Sequence, residues 1–278
     1  MKKNELVKIL EDKGIEKNEA KAEVELVLET VLGKTKEELL FIDEFNDEKI
    51  SDIINKRIET KKPIQYILGF APFMGENFIV DENVLIPRVD TEILVNETIN
   101  AALNINKDKI KILDIGTGSG IIACIAAKRI KDKKEVEIIG IDNSTRALHI
   151  AIDNMKKLNL TRSVMFRKSD LFSNVSEKFD IIVSNPPYIP KKEYEKIQNE
   201  VKFEPYDALF VDDDKGIYYY DLIIKEAKNH LEENGLILFE LMRGQFDFVD
   251  ELFIKEGFKN IEAYLDVQGI KRVIKASI

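Results

Sequence analysis

The chain of 278 residues has one cysteine, Cys124, and two histidines, His149 and His230. A lone thiol cannot form an internal disulfide, so nothing points to an oxidising compartment. The histidines lie far apart on predicted helices, away from Cys124. They read as surface or packing residues, and no metal is expected. No apolar run approaches the length needed to span a bilayer. Residues 1–5 lead into a charged amphipathic stretch without the apolar core of a signal peptide. A cytoplasmic protein without a membrane partner is the expectation. Basic residues are also the minority, 42 against 51 acidic ones, for a formal net charge of -9. Such a chain repels nucleic acid phosphates at long range, so no stable nucleic acid binding is expected. Internal repeats and low-complexity tracts are missing too.

What is present is the composition of a globular protein, 44% hydrophobic and 33% charged. The length allows one or two domains. Residues 1–62 read as helices only. Leu6, Ile9 and Leu10 form one stripe. Val24, Val27, Leu28, Val31 and Leu32 form a second, stopped by Gly33. Thr35 and Glu38 have capping-box spacing, and Ile50, Ile53, Ile54 and Ile58 share one face. This predicts a small helical bundle. Residues 63–89 hold Gly69, Gly75, several aromatics and Pro63, Pro72 and Pro87. Extended runs near Tyr66–Phe73 and Asn77–Val80 predict a β-ribbon linker.

From residue 90 to 278 helices alternate with strands. The expected strands are Ile110–Ile115, Val136–Ile141, Val164–Arg167, Phe179–Ser184 and Leu236–Leu241. The intervening helices are Thr91–Leu103, Gly120–Ile130, Thr145–Leu158 and, near the end, Gly216–Leu231. Such alternation predicts an α/β, Rossmann-like domain with a mostly parallel sheet covered on both faces. Ile261–Val267 and Arg272–Lys275 flank Gly269 as a C-terminal antiparallel hairpin.

The first of these strands runs into Gly116-Thr117-Gly118-Ser119-Gly120. Glycines at a strand-to-helix turn let backbone approach a ligand closely. A dinucleotide fingerprint would need a further glycine where Ile121 stands. The spacing therefore suits S-adenosylmethionine, which carries no phosphate. Asp142 ends the second strand and is placed to accept hydrogen bonds from ribose hydroxyls, although it could serve only as a cap for the next helix. Asp170 ends the third and could face the adenine edge. Ligands in open α/β sheets bind outside the carboxyl ends of the strands.

The fourth strand ends in Asn185-Pro186-Pro187-Tyr188. An amide nitrogen is a poor nucleophile because its lone pair is delocalised into the carbonyl. A methyl-transfer site must therefore hold the NH₂ in plane and aim the lone pair. Asn185 offers a side-chain carbonyl to one N–H, and the Pro186 main-chain carbonyl can take the other. Pro186 and Pro187 stiffen the loop and remove competing donors. Tyr188 offers a flat face to a planar group.

With these residues the chain resembles the HemK/PrmC family, the protein-(glutamine-N5) methyltransferases of peptide chain release factors. Its neighbours narrow the choice: Pro63-Ile64-Gln65-Tyr66-Ile67-Leu68-Gly69, Leu85-Ile86-Pro87-Arg88 with Asp90-Thr91-Glu92, and Phe203-Glu204-Pro205 with Ala208-Leu209. The resemblance implies methylation of the glutamine in a Gly-Gly-Gln loop, gripped by Asn185 to Tyr188. It also implies cofactor contacts from Gly116 to Gly120, Asp142, Leu171 beside Asp170, and Asn185. Leu171 stands where an aromatic is common, and the segment Phe239 to Gln245 keeps Glu240 and Gln245 but lacks the usual glycine soon after the Glu. A monomer is expected. A nucleic acid adenine-N6 methyltransferase would present a similar NH₂ to a similar loop; the acidic charge and the lack of a basic recognition domain speak against it.

Overall fold

A computed structural model of the protein describes residues 2–42 and 44–278. The chain divides into two compact units. The first comprises Met1–Gly69 with Asn199–Phe203, the second Phe70–Gln198 with Glu204–Ile278.

In the first unit, α1 (Lys3–Glu11), α2 (Lys17–Leu32), α3 (Lys36–Leu39), α4 (Glu48–Thr60) and α5 (Ile64–Leu68) follow in order. Leu6, Leu10, Val24, Leu28, Ile50 and Ile54 share one core. Gly33 ends α2 in the left-handed region, at φ 63°, where glycine carries no Cβ penalty. Thr35 and Glu38 form the capping box at α3. An ion pair sits in this core. Arg57 is 2% exposed, its Nε lies 3.0 Å from both Glu23 carboxylate oxygens, and one terminal nitrogen reaches Glu200 at 3.2 Å. A buried guanidinium is tolerated only with such pairing.

The ribbon begins later than the sequence suggests. Tyr66–Leu68 is helical as part of α5, a single turn too short for an apolar stripe to reveal. The hairpin proper is β1 (Phe70–Phe73) with β2 (Glu76–Ile79). Met74 and Gly75 both have positive φ, as a tight two-residue hairpin turn requires. Phe73 and Phe78 pack into the core of the second unit.

That unit continues with α6 (Thr91–Asn104), β3 (Lys109–Ile115), α7 (Ile121–Ile130), β4 (Glu135–Asp142), α8 (Thr145–Lys157), β5 (Val164–Lys168), β6 (Phe179–Ser184), β7 (Ile189–Pro190), α9 (Tyr206–Leu209), β8 (Phe210–Val211), α10 (Tyr218–His230), β9 (Leu231–Glu240), α11 (Phe246–Lys255), β10 (Lys259–Leu265) and β11 (Lys271–Ser277). The strand order of the large sheet is β10-β11-β9-β6-β3-β4-β5. Strands β9, β6, β3, β4 and β5 run parallel, and β11 pairs antiparallel with both β9 and β10. Ile110 and Ile112 on β3 face one buried cluster, with α6 and α7; Leu113 and Ile115 face the other, with α10 and α11. A strand buried on both faces loses the polar alternation of a half-exposed one, which is why these segments read as continuous apolar runs. After β3 the chain moves outward to β4 and β5 and returns to β6 on the other side. This reversal opens a crevice at the carboxyl ends of β3 and β6.

Candidate active site

A cavity of about 250 Å³ occupies that crevice. Gly116 and Gly118 line it from the end of β3, Asp142 and Asn143 from β4, and Asp170 and Leu171 from the turn after β5. Ser184, Asn185, Pro186 and Pro187 line it from β6. The sheet thus brings together residues spread over the whole second unit.

The glycine loop is held open by its own backbone. The N–H groups of Gly116 and Thr117 both donate to the Ile141 carbonyl at 2.9 Å. Gly116 and Gly118 have φ of 70° and 55°, and a Cβ on either would meet nothing within 4 Å. Glycine is needed there for conformation, and the free space belongs to the cavity. Gly120, at φ 81°, has a second reason as well: a Cβ there would lie 2.8 Å from the Phe166 ring. Thr117 and Ser119 are buried behind the cavity rather than on it. The Thr117 hydroxyl donates to Asp114 Oδ2 at 2.6 Å, and the Ser119 carbonyl accepts from Asn154 Nδ2 at 2.9 Å. Asn154 also exchanges two hydrogen bonds with the backbone of Ile79. It therefore fastens the hairpin and the glycine loop to α8.

Asp142 lines the cavity at the end of β4 and also bonds the backbone that leads into α8. Its Oδ1 accepts the Ser144 N–H at 2.8 Å and Oδ2 the Gly118 N–H at 2.9 Å. Burial raises its pKa, and those N–H groups oppose the rise. Each carboxylate oxygen keeps a lone pair for a ligand hydroxyl. The cavity lining holds three carboxylates, Asp142, Asp170 and Asp207, and neither lysine nor arginine. A pyrophosphate would find no cation there, whereas a positively charged, phosphate-free nucleoside such as S-adenosylmethionine fits.

Asn185 Nδ2 donates to the Thr91 hydroxyl at 3.4 Å, which leaves Oδ1 as the open acceptor at the cavity. Pro186 is buried and Pro187 half-buried beside it. Tyr188 departs from expectation. It does not line the cavity; its ring packs against the α10 and α11 side of the sheet. Its hydroxyl donates to Glu240 Oε1 at 3.3 Å, and its main-chain carbonyl accepts from Gln245 Nε2 at 3.1 Å. Burial and the Glu240 charge hold the phenol well above its ordinary pKa. The residue anchors the loop instead of offering a face. The cavity has aromatic rings all the same, from Tyr206 and Tyr219.

Residues 90–202 match the family described as Methyltransferase small domain, and residues 4–69 match the PrmC N-terminal domain. A release factor glutamine methyltransferase of Thermodesulfovibrio yellowstonii is 39% identical over 227 residues, 81% of this chain and 79% of that protein. The chain belongs to the release factor glutamine methyltransferase family. A relative of that name in Fusobacterium nucleatum is 40% identical, over 84% of this chain and 65% of its own length. A bifunctional methyltransferase of Rickettsia typhi is 34% identical over 92% of this chain, which spans 53% of that longer protein. Among solved structures, the hMettl16 catalytic domain superposes with a TM-score of 0.58 at 12% identity, covering 85% of this chain and 84% of that one. A methyltransferase from Pyrococcus furiosus gives 0.54 at 16% identity, covering 83% and 98%. These two confirm the fold, a class I methyltransferase sheet with a C-terminal antiparallel hairpin. Its cofactor is S-adenosylmethionine.

Within this family frame the flanking segments acquire a structural role. Glu204 accepts from the Ile86 N–H at 3.0 Å and from the Arg88 guanidinium at 2.5 Å. Leu85 and Pro205, their neighbours, both line the cavity. Leu171 sits on it with φ 46°, a left-handed conformation uncommon for a residue with a branched side chain. Sequence reasoning did not single out Thr91, Asn154 or Tyr219 as site residues. In the sequence Thr91 and Glu204 stand only within longer family-like segments, and Asn154 gives no sequence signal on an otherwise ordinary amphipathic helix. His149 is exposed, and His230 stacks on Phe172 with centroids 4.5 Å apart, so neither reaches the cavity.

Proposed function

We infer that this protein transfers a methyl group from S-adenosylmethionine to the side-chain amide nitrogen, N5, of the glutamine in the Gly-Gly-Gln motif of peptide chain release factors. One observation carries the reading: Thr91 takes the Asn185 NH₂, so that Asn185 turns its carbonyl to the cavity formed by the glycine loop and Asp142. A carbonyl so placed suits the N–H of a planar amide. The Pro186 main-chain carbonyl is the partner for the second N–H.

The chain's own residues then bind and orient. Gly116, Gly118 and Asp142 hold the nucleoside end of the cofactor. When bound, the cofactor supplies an electrophilic methyl on a positively charged sulfonium. Asn185 and Pro186 keep the amide in plane, so its nitrogen lone pair points along one direction only. Pro186 and Pro187 carry no N–H to compete for the substrate carbonyl. No histidine lines the cavity, and positioning supplies most of the acceleration.

Residues 1–69 are proposed to dock the folded substrate, because one tripeptide offers far less than the roughly 800 Å² per partner of a stable interface. The net charge of -9 fits a protein substrate better than a nucleic acid one. One buried cysteine and a translation-factor substrate fit a monomer in the cytoplasm. Among the described residues no helix is long and apolar enough to cross a membrane.

Labelled S-adenosylmethionine offered with release factor and, separately, with DNA or RNA tests the reading. Label on the factor, lost when its Gly-Gly-Gln glutamine is replaced, is expected. Label on nucleic acid alone would overturn it.

A further inference from the structure

Gln245 lies in the turn between β9 and α11 and is 2% exposed. It does not line the cavity, yet its side-chain amide is committed on both edges. Nε2 donates to the main-chain carbonyls of Tyr188, Lys215 and Gly216, each at 3.1 Å. Oε1 accepts the Met242 N–H at 3.0 Å. Acceptors on one side and a main-chain donor on the other settle which edge is the nitrogen. An NH₂ has two hydrogens for those three carbonyls, so none is spare. The main chain of Gln245 is held as well. Its N–H donates to the Met242 carbonyl and its carbonyl accepts from the Val249 N–H, both at 3.1 Å.

Two of the three carbonyls belong to the turn before α10. The third belongs to the loop that carries Asn185. A Cβ on Gly216 would lie 2.0 Å from the Tyr188 carbonyl oxygen and 2.6 Å from Gln245 Nε2. The turn, the amide and the loop therefore meet with no room for a methyl group.

The loop can transmit what happens at that point. Its upstream end is built into the sheet. Ser184 pairs with Ile115 on β3 and with Phe239 on β9, and its hydroxyl donates to the Ile115 carbonyl at 2.7 Å. Asn185 and Pro186 each precede a proline, which restricts them to extended backbone. Pro186 and Pro187 have φ locked by their rings. A short arm with so few soft torsions moves as one piece, so fixing the Tyr188 carbonyl fixes the Pro186 carbonyl too. The Tyr188 phenol meets Glu240 at the far end of its side chain, whereas Gln245 holds the main chain itself.

We propose that Gln245 is a positioning residue for methyl transfer, which clamps the Tyr188 main-chain carbonyl and thereby sets where the Pro186 carbonyl stands against the substrate amide. A misplacement of about 1 Å at a reacting group can cost on the order of a hundredfold in rate. The inference rests on the assignment of Asn185 and Pro186 in the proposed function.

The test uses the full chain with intact release factor and labelled S-adenosylmethionine. Gln245→Met keeps the length of the side chain and removes the donor. Its kcat is expected to fall at least about tenfold, with KM for release factor and the cofactor Kd from calorimetry within about threefold. Tyr220→Phe is the structural control. Its hydroxyl lies in the same buried cluster, 2.7 Å from the Glu240 main-chain carbonyl and 3.4 Å from Gln245 Oε1, and touches no part of the loop. That variant should melt lower and keep kcat within about twofold of wild type. Normal kcat in Gln245→Met would overturn the proposal, and so would kcat losses in both variants that follow their melting temperatures. Should Gln245→Met melt before assay, Gly216→Ala, which presses on the Tyr188 carbonyl and leaves the glutamine in place, should show the same loss of kcat; normal kcat there would overturn the proposal equally. Asn185→Ala, run alongside, separates the two levels. Full transfer by Asn185→Ala overturns the assignment of Asn185 and this inference with it. Loss in Asn185→Ala with normal kcat in Gln245→Met overturns the Gln245 role alone.

Discussion

The carboxylate of Glu204 meets the guanidinium of Arg88 at 2.5 Å, and its other oxygen takes the Ile86 N–H at 3.0 Å. Two segments far apart in the chain, each ending on the cavity wall, are joined through one side chain that is 2% exposed. Glu204→Ala strands a buried N–H and frees the arginine, and is expected to cost about 1–3 kcal/mol. Arg88→Ala should cost less, because 37% of that side chain is in solvent and exposed pairs contribute little. Urea unfolding midpoints check the order. Equal losses in the two variants would show that the Ile86 bond carries no weight.

Asn185→Ala is expected to abolish transfer, by roughly a hundredfold or more in kcat, while cofactor affinity changes little. Asn185 lines the cavity, and among the described residues its side chain makes one polar contact, with Thr91. Single-turnover rates with calorimetric cofactor binding separate the two effects. A variant that transfers at the normal rate would remove Asn185 from the mechanism.

Asp142→Ala should act on the other side of that division. It removes the proposed ribose acceptor and also orphans the Gly118 and Ser144 N–H groups. An expected loss of about 2 kcal/mol in cofactor binding corresponds to a Kd some thirtyfold higher. Unchanged affinity would place the ribose elsewhere.

The parallel sheet was legible because strands buried on both faces announce themselves as apolar runs, and Gly116 and Gly118 because a phosphate-free loop still needs open backbone. Other features leave weaker traces. Helix α11 begins Phe246-Asp247-Phe248-Val249, which alternates like a strand; the stripe through Val249 and Phe253 appears only when the helix is seen to bury them. The Tyr188 hydroxyl is held by Glu240 and its main-chain carbonyl by Gln245, residues that no local pattern ties to the loop. Thr91 meets Asn185 only because α6 and β6 share a face of the sheet.

Where the chain can be cut follows from the hairpin. Phe73 and Phe78 lie in the core of the second unit, and Asn154 bonds both Ile79 and Ser119. A chain starting at Asp90 loses these and is expected to melt lower and bind cofactor poorly. A chain starting at Phe70 keeps them. It should bind cofactor normally, with a KM for release factor at least about tenfold higher if residues 1–69 dock the substrate. An unchanged KM would remove docking from the first unit.

Asp114 connects the glycine loop to a measurable pH dependence of folding. It is fully buried under that loop. Burial pushes its carboxyl up to about 7, with hydrogen bonds from the Thr117 hydroxyl and the Ala123 N–H opposing and the Asp142 charge adding. The unfolded chain has the ordinary value of 3.8. Between these values the folded protein binds a proton that the unfolded chain has released, so stability from this group is complete below the lower value and is lost as pH rises through the upper one. Asp114→Asn removes the titration while keeping the shape. Its melting temperature, measured against wild type, is therefore expected to improve as the buffer moves from mildly acidic to mildly alkaline. Other carboxyls titrate in both proteins and cancel in the difference. A gap that stays constant with pH would mean that Asp114 keeps one protonation state throughout, and that the Thr117 hydroxyl and Ala123 N–H outweigh its burial.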